Sequence, residues 1–188
     1  MISSASIASG ALALVGESPI LSLLDESARA RYCALHFELL RDALLTSHPW
    51  NFAKKRVDLV AVSTPTPAFK YSYTFALPSD YLRMVETWPT YCEFEIQGDT
   101  VVTDCSSISI AYIYRMTDYA AYNPMFVVAF QYKLAAMLAP VLKSDFKIAQ
   151  AYESLWEFWD KKAKIMDAQD ERSKEVKSDD LIEVRRVG

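Results

Sequence analysis

Glycine is scarce in this chain, with 4 among 188 residues. Phosphate-cradling loops need glycines so that backbone can approach the ligand, and neither a P-loop nor a G-x-G-x-x-G pattern occurs. A G-x-S-x-G nucleophile elbow is missing too. Histidine is scarcer still: His36 and His48 are the only two. Hydrolytic triads therefore have few options, and no catalytic residue is assigned. His48 stands directly before Pro49, which cannot continue a helix, so a structural or interface role is expected of it. The three cysteines, Cys33, Cys92 and Cys105, are odd in number and contain no C-x-x-C pair. Neither a zinc ribbon nor a disulfide framework is indicated, and no metal or cofactor is expected. Cys33 and His36 lie one helical turn apart, but no second ligand pair accompanies them. Cys33 reads instead as a small apolar residue facing a core.

A basic excess is also lacking. The net charge is −4 and the isoelectric point about 5.2, which argues against gripping nucleic acid through a basic surface. The first ten residues carry no positive n-region of a secretory peptide. One run, residues 124–142, is long and apolar, yet Gln131, Lys133 and Pro140 interrupt it. A buried core helix is expected there rather than a membrane span.

What the chain has in quantity is apolar and aromatic surface. It is 52% hydrophobic and 23% charged, the composition of a globular protein of one domain or two small ones. Its 11 Tyr, 9 Phe and 4 Trp suit a packed core or subunit interfaces. The apolar period is helical over residues 4–15, where Ile7, Ala8, Ala11, Leu12 and Val15 share a face and Gly16 supplies the stop. A second helix is predicted from an Asp25 cap to about Ser47, with Ala28, Tyr32, Leu35, Leu39 and Leu40 as its apolar positions.

The period then changes to two. Phe69, Tyr71, Tyr73 and Phe75 alternate with polar residues as in a half-buried strand. Further strands are predicted over 81–88, 91–96, 100–103 and 107–115, with a hairpin turn at Gln97-Gly98-Asp99. Helical spacing resumes at Asn123, a good cap followed by Pro124 in the first turn. Pro140 should kink or end that helix, and Ser144 or Asp145 should cap the last one. There Tyr152, Trp156, Trp159, Ala163 and Met166 form a seam suited to an internal helix pair, too short for a coiled coil. The fold class is therefore α+β, a helical bundle formed by N- and C-terminal helices with an inserted antiparallel β-sheet domain. Its segments are 1–56, 57–116, 117–168 and a charged tail over 169–188. In the tail, Leu181, Ile182, Val184, Arg185, Arg186 and Val187 alternate in part with charge, which fits an extended arm or a frayed terminus.

Three segments carry a family resemblance. They are Ala13-Leu14-Val15-Gly16-Glu17-Ser18-Pro19-Ile20-Leu21-Ser22-Leu23, then Leu44-Leu45-Thr46-Ser47-His48-Pro49-Trp50-Asn51-Phe52-Ala53-Lys54-Lys55-Arg56, then Tyr71-Ser72-Tyr73-Thr74-Phe75-Ala76-Leu77-Pro78-Ser79-Asp80-Tyr81-Leu82. In order and spacing they resemble the tail tubular protein A, or head-to-tail adaptor, family of short-tailed bacteriophages, and the likeness continues through residues 110–117 and 123–140. The resemblance implies a structural virion protein, made in the host cytoplasm and located at the head–tail junction. It implies a ring of about twelve copies closed by heterologous contacts, a portal protein on one side and the tail nozzle (tubular protein B) on the other. DNA would pass only non-specifically through the lumen, and no membrane is involved. The resemblance also favours the arm over the frayed terminus, with the tail reaching toward the portal. Trp50, Phe52, Lys54, Lys55 and Arg56 are expected at the helix-to-sheet junction as a subunit or tail-component interface. The basic triplet also admits a nucleic-acid contact or a merely solvated patch. The competing reading is a hydrolase built on the alternating carboxylates Glu93 and Glu95, which would require a pocket that perturbs them.

Overall fold

The computed structural model describes residues 2–63, 67 and 69–170. Within them the chain is α+β, with two N-terminal helices, two antiparallel sheets and two C-terminal helices that pack back on the first. The tail residues Leu181, Ile182, Val184, Arg185, Arg186 and Val187 lie outside the described residues.

Helix α1 (Ser4–Val15) starts where the Ser3 hydroxyl accepts the Ser6 amide and stops at Gly16, whose φ of 76° needs no Cβ to be tolerated. Its buried residues are the five that the periodicity selected. Helix α2 (Ala28–Thr46) departs from expectation twice. Its cap is Ser27, whose hydroxyl accepts from the Ala30 amide at 3.2 Å, whereas Asp25 turns back to accept from the Leu21 amide at 2.9 Å. The apolar stripe is also reversed. Of the five predicted positions only Leu40 is buried, while Leu35 and Leu39 are 69% and 72% exposed. The core face is Ala30, Cys33, Phe37, Leu40, Arg41 and Leu44–Leu45. This helix carries two apolar stripes, and periodicity cannot say which one turns inward. Cys33 is buried as expected, and burial pushes its thiol up to about 11. Arg41 enters the core because its Nε donates to Asp42 at 2.8 Å and its Nη1 reaches the Tyr119 hydroxyl at 3.5 Å.

Helix α3 (Pro124–Lys143) is central and packs against α1, α2 and the last helix, α4 (Phe146–Asp170). It is long and apolar enough to cross a membrane, but half of that stretch is buried inside this fold. Its polar interruptions serve its neighbours. Gln131 lies over Gly10 of α1, so close that a Cβ there would come within 2.2 Å of its amide nitrogen. Lys133 pairs with Glu153 of α4 and sits 3.8 Å above the Trp156 ring. Pro140 does not stop the helix at once. It sits near the end, and the helix runs on to Lys143 before Ser144 turns left-handed. Asp145 then caps α4, its carboxylate accepting from the Lys147 and Ile148 amides. The α4 seam holds at Tyr152, Trp156 and Ala163, but Met166 is 44% exposed and the buried position is Asp167.

The strands are β1 (Lys54–Asp58), β2 (Val60–Val62), β3 (Tyr73–Ala76), β4 (Tyr81–Trp88), β5 (Phe94–Gln97), β6 (Thr100–Thr103) and β7 (Ser109–Tyr114). They form one sheet of order β1-β7-β4 and another of order β2-β3-β6-β5. Only Leu59 separates β1 from β2, so the chain steps directly from one sheet to the other. The Leu59 amide is held by the Ile108 carbonyl at 2.9 Å. Leu59, Phe75, Val101, Ile108, Ile110 and Tyr112 form a second core between the sheets, apart from the helical one. β1 begins inside the segment assigned to helices, and α4 continues into the segment assigned to the tail.

Three strand-level expectations need correction. The alternation from Phe69 overshoots: pairing begins at Tyr73, and Phe69 is 83% exposed. The strand placed at 91–96 begins at Phe94, with Gly98 at the hairpin turn. Cys92 and Cys105 form a disulfide, with Cα atoms 6.0 Å apart. The hairpin explains it. Phe94 pairs with Thr103, so the next same-facing residues outward are Cys92 and Cys105. Cysteine counting could not show that, because the register sets it.

Candidate functional site

The corner between α2 and β1 brings residues 44–56 together. After Ser47 caps α2, Pro49 forces the chain to turn, and one 3-10 turn over Asn51–Ala53 leads into β1. Trp50 is fully buried, and its indole N–H donates to the Leu44 carbonyl at 2.9 Å, which satisfies an end group of α2. Its ring lies edge-on to Phe126 at 4.9 Å, and Phe52 packs against Phe126 and Tyr122 at 5.2 and 5.5 Å. Both aromatics sit at the helix-to-sheet junction, as expected. They face the chain's own core, however, so Trp50 offers no surface to a neighbour. A tryptophan at a corner can serve either purpose, and α3 supplies the partner that decides it.

Asp167, from the far end of α4, clamps this corner. Its carboxylate accepts the Asn51 amide at 3.1 Å and lies 3.2 Å from His48 Nε2, while its carbonyl accepts the Asn51 side-chain amide at 2.6 Å. Burial pushes the Asp167 carboxyl above the usual carboxylate range, against the pull of the Asn51 amide and His48. His48 thus has a structural partner. The spacing of the α4 seam pointed one residue away, at Met166, and nothing in the sequence marked Asp167.

The basic triplet divides. Lys54 reaches the Asn51 side chain at 3.2 Å. Lys55 pairs with Asp80 at 2.7 Å and lies 3.7 Å from the centre of the Tyr114 ring. Burial works against a charged Asp80, but the Lys55 and Tyr112 hydrogen bonds outweigh it and hold that carboxyl below its ordinary value. Arg56 is exposed. With Val57, Asp58, Glu86 and Thr87 it borders a groove of about 440 Å³ on the outer face of the three-stranded sheet. Trp88, 67% exposed at the end of β4, closes the far wall.

Glu93 and Glu95 are both exposed. Glu93 precedes β5 rather than alternating along it, and the exposure of both carboxylates is the opposite of the enclosed site that the hydrolase reading requires. Among the described residues, no group of three or more His, Cys, Asp or Glu side chains could hold a metal. No protein-family model matches the chain, and no curated protein matches it.

Proposed function

We propose that this chain is a structural subunit of a phage tail, a ring-forming head-to-tail adaptor of the tail tubular protein A kind. It joins a portal protein to the tail nozzle and forms part of the channel for DNA. The observation that carries the reading is the distribution of uncovered apolar surface. Leu21, Leu24, Leu35, Leu39, Trp88 and Phe146 are between 67% and 94% exposed. They are spread over two helices, a loop and a sheet edge rather than gathered around convergent polar groups, which fits contact with several neighbours better than turnover of a substrate. The element order supports it as well, because terminal helices share one core and an inserted β region projects from it. Localisation at the head–tail junction of the virion follows from the same reading.

Electron microscopy of the purified protein mixed with its portal tests the proposal. Rings of about twelve subunits seated on the portal are expected. A monodisperse monomer that never binds portal would overturn it. A second expectation concerns the tail. Deleting residues 181–188 weakens portal docking and leaves the melting temperature of the core unchanged. Undiminished docking by the truncated chain would remove the tail from the contact.

A further inference from the structure

The outward stripe of α2 has a counterpart. Ala28, Tyr32, Leu35 and Leu39 are all exposed, at successive spacings of four, three and four. On α4, Ala151, Leu155, Phe158 and Lys162 are exposed at the same spacings, and Ile165, 48% exposed, continues the row. These are the steps of a packed helix seam, yet neither row is covered by the chain's own core. Each spans about 17 Å.

We infer that the α2 stripe of one copy packs on the α4 stripe of a second copy, in parallel and in register, with Leu35 against Phe158. The inference rests on the ring reading and names the surfaces that would build it. The occupant is a second copy for three reasons. The chain presents two unlike stripes of matching step, so each copy supplies what its neighbour lacks. The alignment also sets exposed Glu38, beside Leu39, next to Lys162, whose ammonium otherwise lies over its own Phe158 ring at 4.6 Å. A parallel α4–α4 contact in register would instead bring two Lys162 side chains together. Finally, α2 and α4 run toward the same end of the bundle, because the His48–Asn51 corner just past α2 is clamped by Asp167 near the end of α4. Rotation about an axis along the bundle keeps those directions parallel between copies, whereas a two-fold across it would reverse them.

Cysteine trapping tests this on the full chain. The exposed sites permit Leu35→Cys and Phe158→Cys without disturbing the core, and thermal melting checks that. Under mild oxidation the double variant should give a ladder of covalent dimers, trimers and higher species, and each single variant should stay monomeric. Glu38→Lys or Lys162→Glu in that background should slow laddering about fivefold, and the two together should restore it. A folded double variant that stays monomeric overturns the inference, as do covalent dimers from either single variant, which would mean a two-fold contact. A ladder from protein that never binds portal leaves the inference standing and removes the adaptor reading. Portal-seated rings whose double variant does not ladder do the reverse.

Discussion

Replacing Trp50 with alanine lowers the unfolding free energy by about 4 kcal/mol, the range for deleting a buried tryptophan. The ring is fully enclosed and touches His48, Phe52 and Phe126. Its loss opens a cavity where α2, α3 and the start of β1 meet. It also removes the indole donor from the Leu44 carbonyl, which keeps the Ser47 hydroxyl at 2.8 Å. Trp50→Phe separates the two contributions, because it keeps most of the contact and drops the hydrogen bond, for about 1 kcal/mol. Urea unfolding followed by fluorescence and by circular dichroism reads both. A Trp50→Ala protein within about 1 kcal/mol of wild type would show that the corner does not need its anchor.

Asp167→Ala lowers stability by about 3 kcal/mol, since it strands the half-buried Asn51 amide and the His48 ring nitrogen that the carboxylate now serves. For a chain of this size that corresponds to a melting temperature lower by roughly 6–12 °C. Asp167→Asn keeps an acceptor for the Asn51 amide and costs less. The pH dependence has an unusual sign. Burial raises the folded-state affinity of this carboxyl for a proton above its ordinary 3.8. The folded state therefore holds more proton than the unfolded one across that window. The stabilisation from protonation is complete below 3.8 and is lost as pH rises through the raised value. Wild type should thus lose ground relative to Asp167→Asn as pH climbs through the carboxylate range, as thermal melts at a series of pH values would show. A difference that widens in favour of wild type with rising pH would mean that the ion pair with His48 outweighs burial.

Much of the fold was legible because local signals agreed. In α1 the glycine stop and five apolar positions all pointed to one helix and one face. The Asn123–Pro124 start of α3 and the Gly98 hairpin were equally local. What failed depended on partners remote in sequence. The apolar row Ala28, Tyr32, Leu35 and Leu39 was real, but α3 packs on the other side of the helix, against Cys33 and Phe37. Trp50 and Phe52 were placed at the right corner and turned the wrong way, because only the position of Phe126 determines which side is inside. Asp167 was invisible, since a carboxylate near a helix end ordinarily reads as solvated. The Cys92–Cys105 bond followed from a strand register that no cysteine spacing contains. Of the candidate interface residues, Lys55 and Arg56 remain on the surface, and Trp88 joins them.

The Asp167 clamp also decides how the molecule would bear tension. Whatever is attached beyond residue 170 pulls on a helix already riveted to Asn51, which opens the turn that leads into β1 of the three-stranded sheet. A tug there loads several bonds at once across the joint instead of peeling the last helix away turn by turn. The load then passes through β1 and Leu59 into both sheets, as a strap passes force to a frame.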